Sequence, residues 1–550
     1  MLKKMLLVAL AAMLLLTLAS CGSDDAVTFS GGSGVENDPY LIGTPADLWK
    51  LAELVNDEQT QDAYMSAWYK QTKDIDLGGK KEWMPIGYYS KNTDNYRFEG
   101  VYDGNGHTIS GISINYKDPL AGKKRAAFGL FGELEGTVKN LTIANSSIKV
   151  DGEASVSVGA VAGKVWDGVI ENCHTADSVT VVGTYNAGGI CGYYKSNIAL
   201  WSCTNKAAVT ATSDVGTAAG IVAYGSCAIA ECSNYGEIVS AGEAAGISGT
   251  AFGGIRDCSN YGSVQAASYA AGIVYRFEDG ALNSSMNDAT ISIERCANYG
   301  DVTSTGKDYK GTILARSAGG IAASCRTGSV KDCVNAGTVT SGAESGGILA
   351  YFQHSSLGTP CEEFVVSGCA NNGTVISTAG GNAAGGICGM VYGDKTNISF
   401  ENCSNTGKVL GIADKGSFGL DNVAGGILGE GLYLSVLQIT NCVNSGSVEG
   451  GNKAGGMVGK LNANRDENSY CYLADSSNLG SVCVINCSSY SRDIYVGGMV
   501  GYCKLLENDV NKGIVIVDFG NCINSGELFG DAEAVVYADD LCGNIGELDN

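Results

Sequence analysis

Cysteine is the residue with reactive chemistry that recurs most regularly in this chain. Eleven of its 21 cysteines stand in one repeated phrase, apolar–x–polar–Cys–x–Asn–x–Gly–x–Val, at intervals of 26 to 45 residues. These are Cys173, Cys203, Cys232, Cys258, Cys296, Cys333, Cys369, Cys403, Cys442, Cys487 and Cys522. In an exported chain, thiols at a fixed position of every repeat could form disulfides or bind metal.

The spacing of these cysteines argues against both kinds of chemistry. No Cys-x-x-Cys pair occurs, whereas zinc sites need paired ligands. Equivalent cysteines on stacked coils lie about 4.8 Å apart with parallel side chains, which is poor disulfide geometry. We therefore predict a reduced interior ladder, no metal and no cofactor, with scattered disulfides as the alternative. The better disulfide candidates lie outside the phrase: Cys191, Cys227, Cys325, Cys361, Cys388, Cys471, Cys483, Cys503 and Cys542.

Catalytic motifs are missing from the sequence. It contains no Gly-x-Ser-x-Gly elbow, no His-Glu-x-x-His and no phosphate-binding loop, and its three histidines are far apart (His107, His174 and His354). We predict no catalytic residues. Carboxylates from neighbouring coils, with a Lys or Arg base, could still assemble a polysaccharide lyase or glycoside hydrolase, which is the alternative function.

Insertions at one corner of the repeat carry the candidate binding residues. The gap from the repeated Ile to the residue three before the next cysteine is 8 residues after Ile221 and Ile247, but 20 after Ile273 and 18 after Ile348. Insertions at one corner map to one face of a solenoid, often its binding face. The predicted contacts are Arg276, Phe277, Tyr351, Phe352, His354 and Arg465.

The repeat itself predicts the elements that position these residues. In the shortest unit, Cys232 to Cys258, we expect three short strands, Glu237–Val239, Ala245–Ile247 and Gly254–Cys258, separated by turns. Apolar residues recur three before and six after the cysteine. Nine asparagines recur two after it, where they are expected at a left-handed corner with stacked amides. The sequence therefore predicts an all-β fold, a right-handed, three-sided parallel β-helix.

The first residues of the sequence predict an export signal. Lys3 and Lys4 precede an apolar run, and Leu18, Ala19 and Ser20 precede Cys21. This pattern resembles the bacterial lipobox, which implies cleavage before Cys21 and lipidation of its thiol. We predict a signal peptide at 1–20, a lipidated tether at 21–34, and anchoring in the outer membrane or at the cell surface.

A helix signal follows the tether. Thr44 is a plausible N-cap, Pro45 suits the first helical position and Asp47 stands three after the cap,. We predict an N-terminal cap at 35–97 with a short amphipathic α-helix over the open end of the solenoid. Residues 98–550 are predicted to form the repeat domain, with a degenerate C-terminal cap.

Charge limits the class of partner. The formal net charge is -23 at pH 7, which disfavours binding to nucleic acid. The predicted partners are the membrane, through the lipid, and a glycan or a host or microbial surface protein. The oligomeric state stays open.

Phrases in the N-terminal half carry a family resemblance. Gly129-Leu130-Phe131-Gly132, Val138-Lys139-Asn140-Leu141 and the later Ala-Gly-Gly-Ile units resemble the GLUG-motif family of bacterial surface proteins. The resemblance implies a parallel β-helix in an adhesin-like protein, often a lipoprotein, and supplies no catalytic residues. The predicted function is non-enzymatic adhesion or binding through corner loops.

Overall fold

The structure is a computed structural model. It describes residues 29–88, 97–117, 126–152, 156–278, 291–306, 317–353, 361–378, 382–393, 396–412, 421–462, 469–485, 493–504, 515–529 and 535–539. The predicted leader and most of the tether, with Cys21, lie outside these ranges. In the described ranges no helix is long and apolar enough to span a membrane.

The described strands stack as a parallel β-helix, as the repeat predicts. All pairings between named strands are parallel, and they form four sheets. Sheet 1 contains Tyr40–Ile42, Trp68–Gln71, Ile75–Asp76, Val101–Asp103, Thr108–Ser110, Thr137–Ala144, Val169–Thr175, Leu200–Trp201, Thr204–Asn205, Ile229–Ala230, Ser233–Asn234, Ile255–Arg256, Ser259–Asn260, Ser292–Glu294, Ala297–Asn298, Ser329–Lys331, Val334–Asn335, Glu363–Ser367, Ala370–Asn371, Asn397–Glu401, Ser404–Asn405, Val436–Thr440, Val443–Asn444, Ser469–Ala474, Ser477–Asn478, Val515–Gly520 and Ile523–Asn524.

The other three sheets each take one strand from successive coils, beginning at Ser113. Sheet 2 contains Ser113–Lys117, Ser147–Asp151, Thr180–Gly183, Ala208–Ala211, Ile238–Ser240, Val264–Ala266, Val302–Ser304, Val339–Ser341, Val375–Ser377, Val409–Gly411, Val448–Gly450, Val482–Val484 and Leu528–Phe529. Sheet 3 contains Ala126–Phe128, Val156–Gly159, Asn186–Gly188, Thr217–Ala219, Glu243–Ala245, Ala270–Ala271, Ala318–Gly319, Ser345–Gly346, Ala383–Gly385, Val423–Gly425, Lys453–Gly455, Asp493–Gly497 and Val535–Asp539. Sheet 4 contains Phe131–Leu134, Ala162–Trp166, Cys191–Lys195, Val222–Gly225, Ser248–Ala251, Val274–Phe277, Ala322–Cys325, Leu349–Gln353, Cys388–Tyr392, Leu428–Leu432, Val458–Asn462 and Val500–Lys504.

Each typical coil contains five short strands rather than the three expected. The Gly-Ile pair, predicted as part of a strand, is instead a bend between sheets 3 and 4, as at Gly246 and Ile247. A Cβ on Gly246 would lie 2.1 Å from the carbonyl oxygen of Gly272 on the next coil. Glycine is therefore required because the two coils approach too closely for a side chain.

A left-handed turn recurs in the repeats at the residue immediately before the cysteine position, and not at the asparagine as expected. This residue has a φ between 49° and 56° in ten coils: Asn172, Ser202, Glu231, Asp257, Arg295, Asp332, Asn402, Asn441, Asp475 and Asn521. Positive φ is uncommon outside glycine, and Asn and Asp tolerate it best. From Ser202 onward the turn lies between the two strands that each described coil contributes to sheet 1, whereas Asn172 lies within the continuous strand Val169–Thr175.

The cysteines of the phrase line the interior, as predicted. Cys258 donates a hydrogen bond to the carbonyl oxygen of Arg256, two residues earlier, and Cys296 repeats this with Glu294. Burial raises the pKa of the Cys232 thiol, which keeps it protonated. No disulfide joins the eighteen cysteines in the described ranges, and fifteen of these are buried.

The assignment of Cys487 to the repeated phrase was wrong. In the coil after Cys442, the cysteine position is occupied by Ser476, because Ser477–Asn478 pairs in register with Val443–Asn444. The Ser476 hydroxyl donates to the carbonyl oxygen of Ala474, as the thiols do in other coils. Cys487, which was assigned to this position, lies outside the described residues.

A continuous amide ladder runs through the coils at the repeated asparagine. Nine hydrogen bonds of 2.7–2.8 Å each join the side-chain amide of one asparagine to the side-chain oxygen of the next. The ladder contains Asn205, Asn234, Asn260, Asn298, Asn335, Asn371, Asn405, Asn444, Asn478 and Asn524, and Thr175 donates to its first member. The second amide proton of each asparagine binds the carbonyl oxygen two residues later, as Asn371 does with Gly373.

The predicted helix is present at the N-terminal end. Helix α1 spans Pro45–Asn56, and Thr44 and Asp47 form a reciprocal capping box. A single turn, α2, follows at Gln61–Tyr64. Leu48, Leu51 and Val55 of α1 belong to the same hydrophobic cluster as the first coils.

Burial alone would raise the pKa of the capping carboxyl Asp47. Hydrogen bonds from Ser30, Gly43 and Thr44 nevertheless lower this pKa overall. The carboxylate therefore stays charged at the helix N-terminus, where negative charge is favourable.

The adjacent pair Asn371 and Asn372 tests the ladder. Asn371→Ala leaves the Asn335 amide proton and the Gly373 carbonyl oxygen without partners inside the fold, so we expect the free energy of unfolding to fall by about 2–4 kcal/mol. Asn372 is exposed, and Asn372→Ala should change it by about 0.5 kcal/mol or less. Urea denaturation measures both, and equal stabilities would contradict the role of the ladder.

Candidate functional site

The outer faces of sheets 3 and 4 fold against each other along the rod. At Gly249 of sheet 4, a Cβ would lie 2.3 Å from the Cγ2 methyl of Thr217 in sheet 3. Polar side chains on the outer face of sheet 4 are nearly buried, including Lys164 and Glu430. We call this concave contact zone the seam.

The seam is lined by two columns of side chains, one from each sheet. The outer column of sheet 4 contains Glu133, Lys164, Tyr193, Tyr224, Thr250, Arg276, Ser324, Tyr351, Met390, Glu430, Lys460 and Tyr502. The outer column of sheet 3 contains Ser157, Asn186, Thr217, Glu243, Tyr269, Ser317, Glu344, Ala383, Val423, Lys453 and Tyr495. Small residues at the bend let the columns meet.

The first polar group in the seam is the arginine cluster, which comprises Glu243, Tyr269, Tyr275, Arg276 and Tyr351. The Arg276 guanidinium donates a hydrogen bond to the Tyr275 hydroxyl and lies 4.9 Å from that ring's centroid. The Tyr269 ring centroid lies 5.3 Å from that of Tyr275 and 6.1 Å from that of Tyr351. Side chains from both sheets thus meet around one guanidinium.

The electrostatics of the arginine cluster keep that guanidinium charged without a direct ion pair among the described residues, although carboxylates lie nearby. Burial alone would lower the pKa of Arg276, but the nearby Tyr275, Glu278 and Glu243 raise it overall. Burial raises the pKa of the Glu243 carboxyl, and Arg276 and Thr217 only partly offset this. Among the ion pairs of the described residues, none involves Arg276.

The second polar group is the lysine cluster, which comprises Asp421, Glu430, Lys453 and Lys460. Asp421 pairs with Lys453 through one oxygen and with Lys460 through the other, at 2.8 Å. Lys460 also lies 2.7 Å from Glu430. The Lys453 ammonium faces the Tyr502 ring at 5.0 Å. Sheets 3 and 4 are therefore also joined here by ion pairs.

Burial and ion pairing act in opposite directions on the pKa values of Lys453 and Asp421. Burial lowers the pKa of Lys453, although Asp421 acts in the opposite direction. Burial would raise the pKa of Asp421, but Lys453 and Lys460 lower it overall. The carboxylate therefore stays ionised at neutral pH.

The structure brings two of the sequence-predicted contacts together and separates the others. Arg276 and Tyr351 lie in the same outer column, two coils apart, with Ser324 between them. Both stand on strands of sheet 4, and not on corner loops. The prediction of Phe277 and Phe352 as contacts was wrong, because both side chains are fully buried in the core. Adjacent residues of a strand point to opposite faces.

The remaining predicted residues lie in parts of the chain that the structure does not describe. His354 and Arg465, like Cys21, lie outside the described residues. Sequence reasoning also missed Glu243, Tyr269, Tyr275 and the lysine cluster. The sequence did contain a signal for the positions of Arg276 and Lys460. Each stands three residues after the repeated Ile or Met of its coil, and this position forms the outer column of sheet 4.

A separate aromatic stack lies outside the seam. Tyr235, Tyr261 and Tyr299 follow the ladder asparagines and stack with ring centroids 4.6 and 4.9 Å apart. Both faces of Tyr261 are covered by the neighbouring rings, so only the outward faces of Tyr235 and Tyr299 are left to a ligand. Stacking against a flat ligand needs an open ring face, which makes this surface a weaker candidate.

Metal-ligating groups and histidines offer no further candidate site in the described ranges. These ranges hold no group of three or more His, Cys, Asp or Glu side chains that could bind a metal ion. Burial and Lys206 lower the pKa of His174, and its ring nitrogen lies 3.0 Å from the Asn172 side-chain oxygen.

Comparison with known proteins yields partial matches. No protein-family model matches the chain. A protein from Evansella cellulosilytica, whose name describes a Gly-rich membrane protein, is 36% identical over 157 residues, covering 28% of this chain and 16% of that protein. Halomucin from Haloquadratum walsbyi is 32% identical over 170 residues, covering 29% of this chain and 2% of halomucin. The chain thus matches less than a fifth of either relative's length.

A solved structure also shows a distant likeness. It is a Bacteroides ovatus protein described as an immunoglobulin A1 protease, with 17% identity over 73% of this chain and 87% of that one. The TM-score is 0.28. At that value the likeness supports no conclusion about function.

Replacement of Asp421 tests the lysine cluster. Asp421→Asn removes a carboxylate that holds two buried ammonium groups, so we expect the free energy of unfolding at pH 7 to fall by about 2 kcal/mol. That is less than for a fully buried pair, because the Asp421 side chain is 35% exposed. The lowered pKa of Asp421 stabilises the fold above the unfolded-state value of about 3.9.

The destabilisation should therefore shrink progressively as the pH falls below about 4, because the unfolded state of the unchanged protein then takes up a proton on Asp421 that the folded state, with its lowered pKa, still resists,. Urea denaturation across a pH series measures this. Asp62→Asn, at an exposed position in α2, is the control and should have little effect at any pH. A difference that is independent of pH would contradict the ionic role.

Proposed function

We propose that this protein is a lipid-anchored, non-enzymatic rod that binds a glycan or a protein of a host or microbial surface through the seam. The observation that carries the proposal is the convergence of Arg276 and Tyr351 with Tyr269 in one concave zone. An arginine without an ion pair, surrounded by aromatic rings, is typical of binding sites.

The predicted location at the cell surface supports this function. The sequence before Cys21 resembles a lipobox, and the repeated phrases resemble GLUG-motif surface proteins. One relative is named as a membrane protein. A rod attached at one end through a lipidated segment would hold the seam away from the membrane.

The anchor can be tested directly. Replacement of the predicted acylated thiol, Cys21→Ser, should release the protein from the membrane fraction and abolish labelling by radioactive palmitate, because one hydrophobic anchor is lost. Cys361→Ser is the control and should stay in the membrane. Unchanged fractionation and labelling of Cys21→Ser would refute the anchor.

The binding role of the seam can be tested on the protein without residues 1–21. Arg276→Ala should weaken binding to a panel of host and microbial cells by about tenfold, the size expected for loss of one interface arginine. Arg256→Ala, on an exposed face of sheet 1, should bind as well as the unchanged protein. Flow cytometry provides the measurement, and equal binding by both variants would contradict the assignment.

A second candidate function is a polysaccharide lyase or glycoside hydrolase. The observation that favours it is the buried Lys453, whose pKa is lowered by burial and which pairs with the Asp421 carboxylate. A lysine of this kind can act as a general base. Release of products from a polysaccharide panel, lost in Lys453→Met, would establish this function in place of the first.

A further inference from the structure

The tyrosine stack beside sheet 1 has different neighbours at its two ends. Tyr235, Tyr261 and Tyr299 are 49%, 45% and 50% exposed, and adjacent ring planes lie within 8° of parallel. Each tyrosine directly follows a ladder asparagine. The same position is occupied by Lys206 on the coil before the stack and by Ala336 on the coil after it. The stack therefore meets a lysine at one end and a single methyl group at the other.

At the first end, a cation of the chain itself lies over the outward ring face. The Lys206 ammonium is 6.0 Å from the centroid of the Tyr235 ring, on the side that Tyr261 does not cover. A cation at this distance is attracted by the ring's negative face. The outward face of Tyr299 has no such partner among the described residues, because Ala336 is too short to reach across it.

The space beside the Tyr299 ring is one coil high. We call this space over Ala336 the slot. Coils are about 4.8 Å apart, so Asn372, which follows in the same column, stands about 10 Å from Tyr299 along the rod. The Asn372 side-chain oxygen accepts a hydrogen bond from the Thr406 hydroxyl on the coil beyond, which holds it away from the slot. One planar group fits in the slot, parallel to the tyrosine rings.

A carboxylate borders the slot. Oδ1 of Asp301 accepts a hydrogen bond of 2.9 Å from the backbone N–H of Thr338. Thr338 and Ala336 lie on the same outer side of their coil, because Gly337 and Val339 point inward and are buried,. The Asp301 carboxylate thus reaches onto the coil of the slot. The net charge of the whole chain, -23 at pH 7, adds to the negative potential there.

The ring face and the carboxylate together select one kind of ligand group. A guanidinium is planar and always charged, so it stacks on an aromatic face and pairs with a carboxylate through two parallel hydrogen bonds. An ammonium has the charge without the plane. A sugar or an aromatic ring has a flat face without the charge, and it gains nothing from Asp301. A single open ring face is also too small for a polymer but sufficient for one such group.

We propose that the slot binds an arginine side chain of a basic partner protein, which stacks on Tyr299 and pairs with Asp301. The site lies outside the seam and does not depend on the proposed function. The negative charge of the rod attracts the basic partner and speeds its approach. The slot then fixes one arginine at a definite coil of the rod.

Isothermal titration calorimetry at low ionic strength, with the full chain in a non-ionic detergent, tests the slot. The probe is a synthetic peptide in which arginine alternates with serine. Two matched peptides carry lysine, which keeps the charge without the plane, or citrulline, which keeps the plane without the charge. The arginine peptide should bind about fivefold more tightly than either.

Ala336→Tyr fills the slot and leaves the charge of the protein unchanged. Tyrosine already occupies this position on the three preceding coils, so the variant should fold, with a Tm no lower than that of the unchanged protein. Binding of the arginine peptide should weaken about fivefold. Ser445→Tyr is the control, because it introduces the same residue at the exposed equivalent position three coils further on, next to Thr406. It should bind the peptide unchanged.

A second pair of variants tests the carboxylate. Asp301→Asn should weaken binding of the arginine peptide about threefold, the size expected for loss of one exposed ion pair. Glu237→Gln removes the same charge from the equivalent exposed position two coils earlier, beside the middle of the stack's outer edge and away from the slot. It should have a smaller effect than Asp301→Asn.

The outcomes separate this site from bulk attraction and from the seam. The inference would be overturned by equal binding to Ala336→Tyr and the unchanged protein, by an equal loss in Ser445→Tyr, or by a lysine or citrulline peptide that binds as tightly. Failure of the arginine peptide to bind would overturn it too. A neutral hexasaccharide that binds more tightly than the peptide, and is lost in Ala336→Tyr, would assign the slot to a sugar instead. Arg276→Ala should keep the peptide affinity, so the seam stands or falls separately.

Discussion

The buried asparagine ladder is the interaction on which the rest of this structure depends. Each ladder asparagine donates one amide proton to the next coil and the other to its own turn, and it accepts from the preceding coil. All three groups are removed from water, so a slip of one residue between coils would leave several of them unsatisfied. The ladder thereby holds each coil in one register with its neighbours, from Thr175 to Asn524.

Register is what makes a site possible in this fold. Because equivalent residues of successive coils stack, a side chain that departs from the consensus is placed at a definite height in a definite column. Arg276, Ser324 and Tyr351 are such departures, and they become neighbours although 75 residues of chain separate the first from the last. The seam exists because the Gly-Ile bend turns sheets 3 and 4 towards each other on their outer faces, where most β-helix side chains would be solvated.

The interior cysteines have a structural role in this fold. Thiols at the phrase position donate to the carbonyl oxygens next to the left-handed turn, as Cys258 and Cys296 do. Ser476 makes the same bond with a hydroxyl group, which shows that the position requires a small donor and not a reactive sulfur. The regularity that first suggested redox or metal chemistry therefore reflects a repeated hydrogen bond.

The sequence alone determined the parallel β-helix, the capped helix α1, and the interior columns, because stacking needs side chains of one type at one spacing and a capping box acts within four residues. The tertiary structure decided the remainder. The alternation of a strand placed Phe277 inside and Arg276 outside, and pairing between coils placed Ser476 where Cys487 had been expected. The bend brought Lys453 of one sheet to Lys460 and Glu430 of another through Asp421. No local pattern contains that information, since contacts between sheets depend on the direction in which the chain turns at each corner.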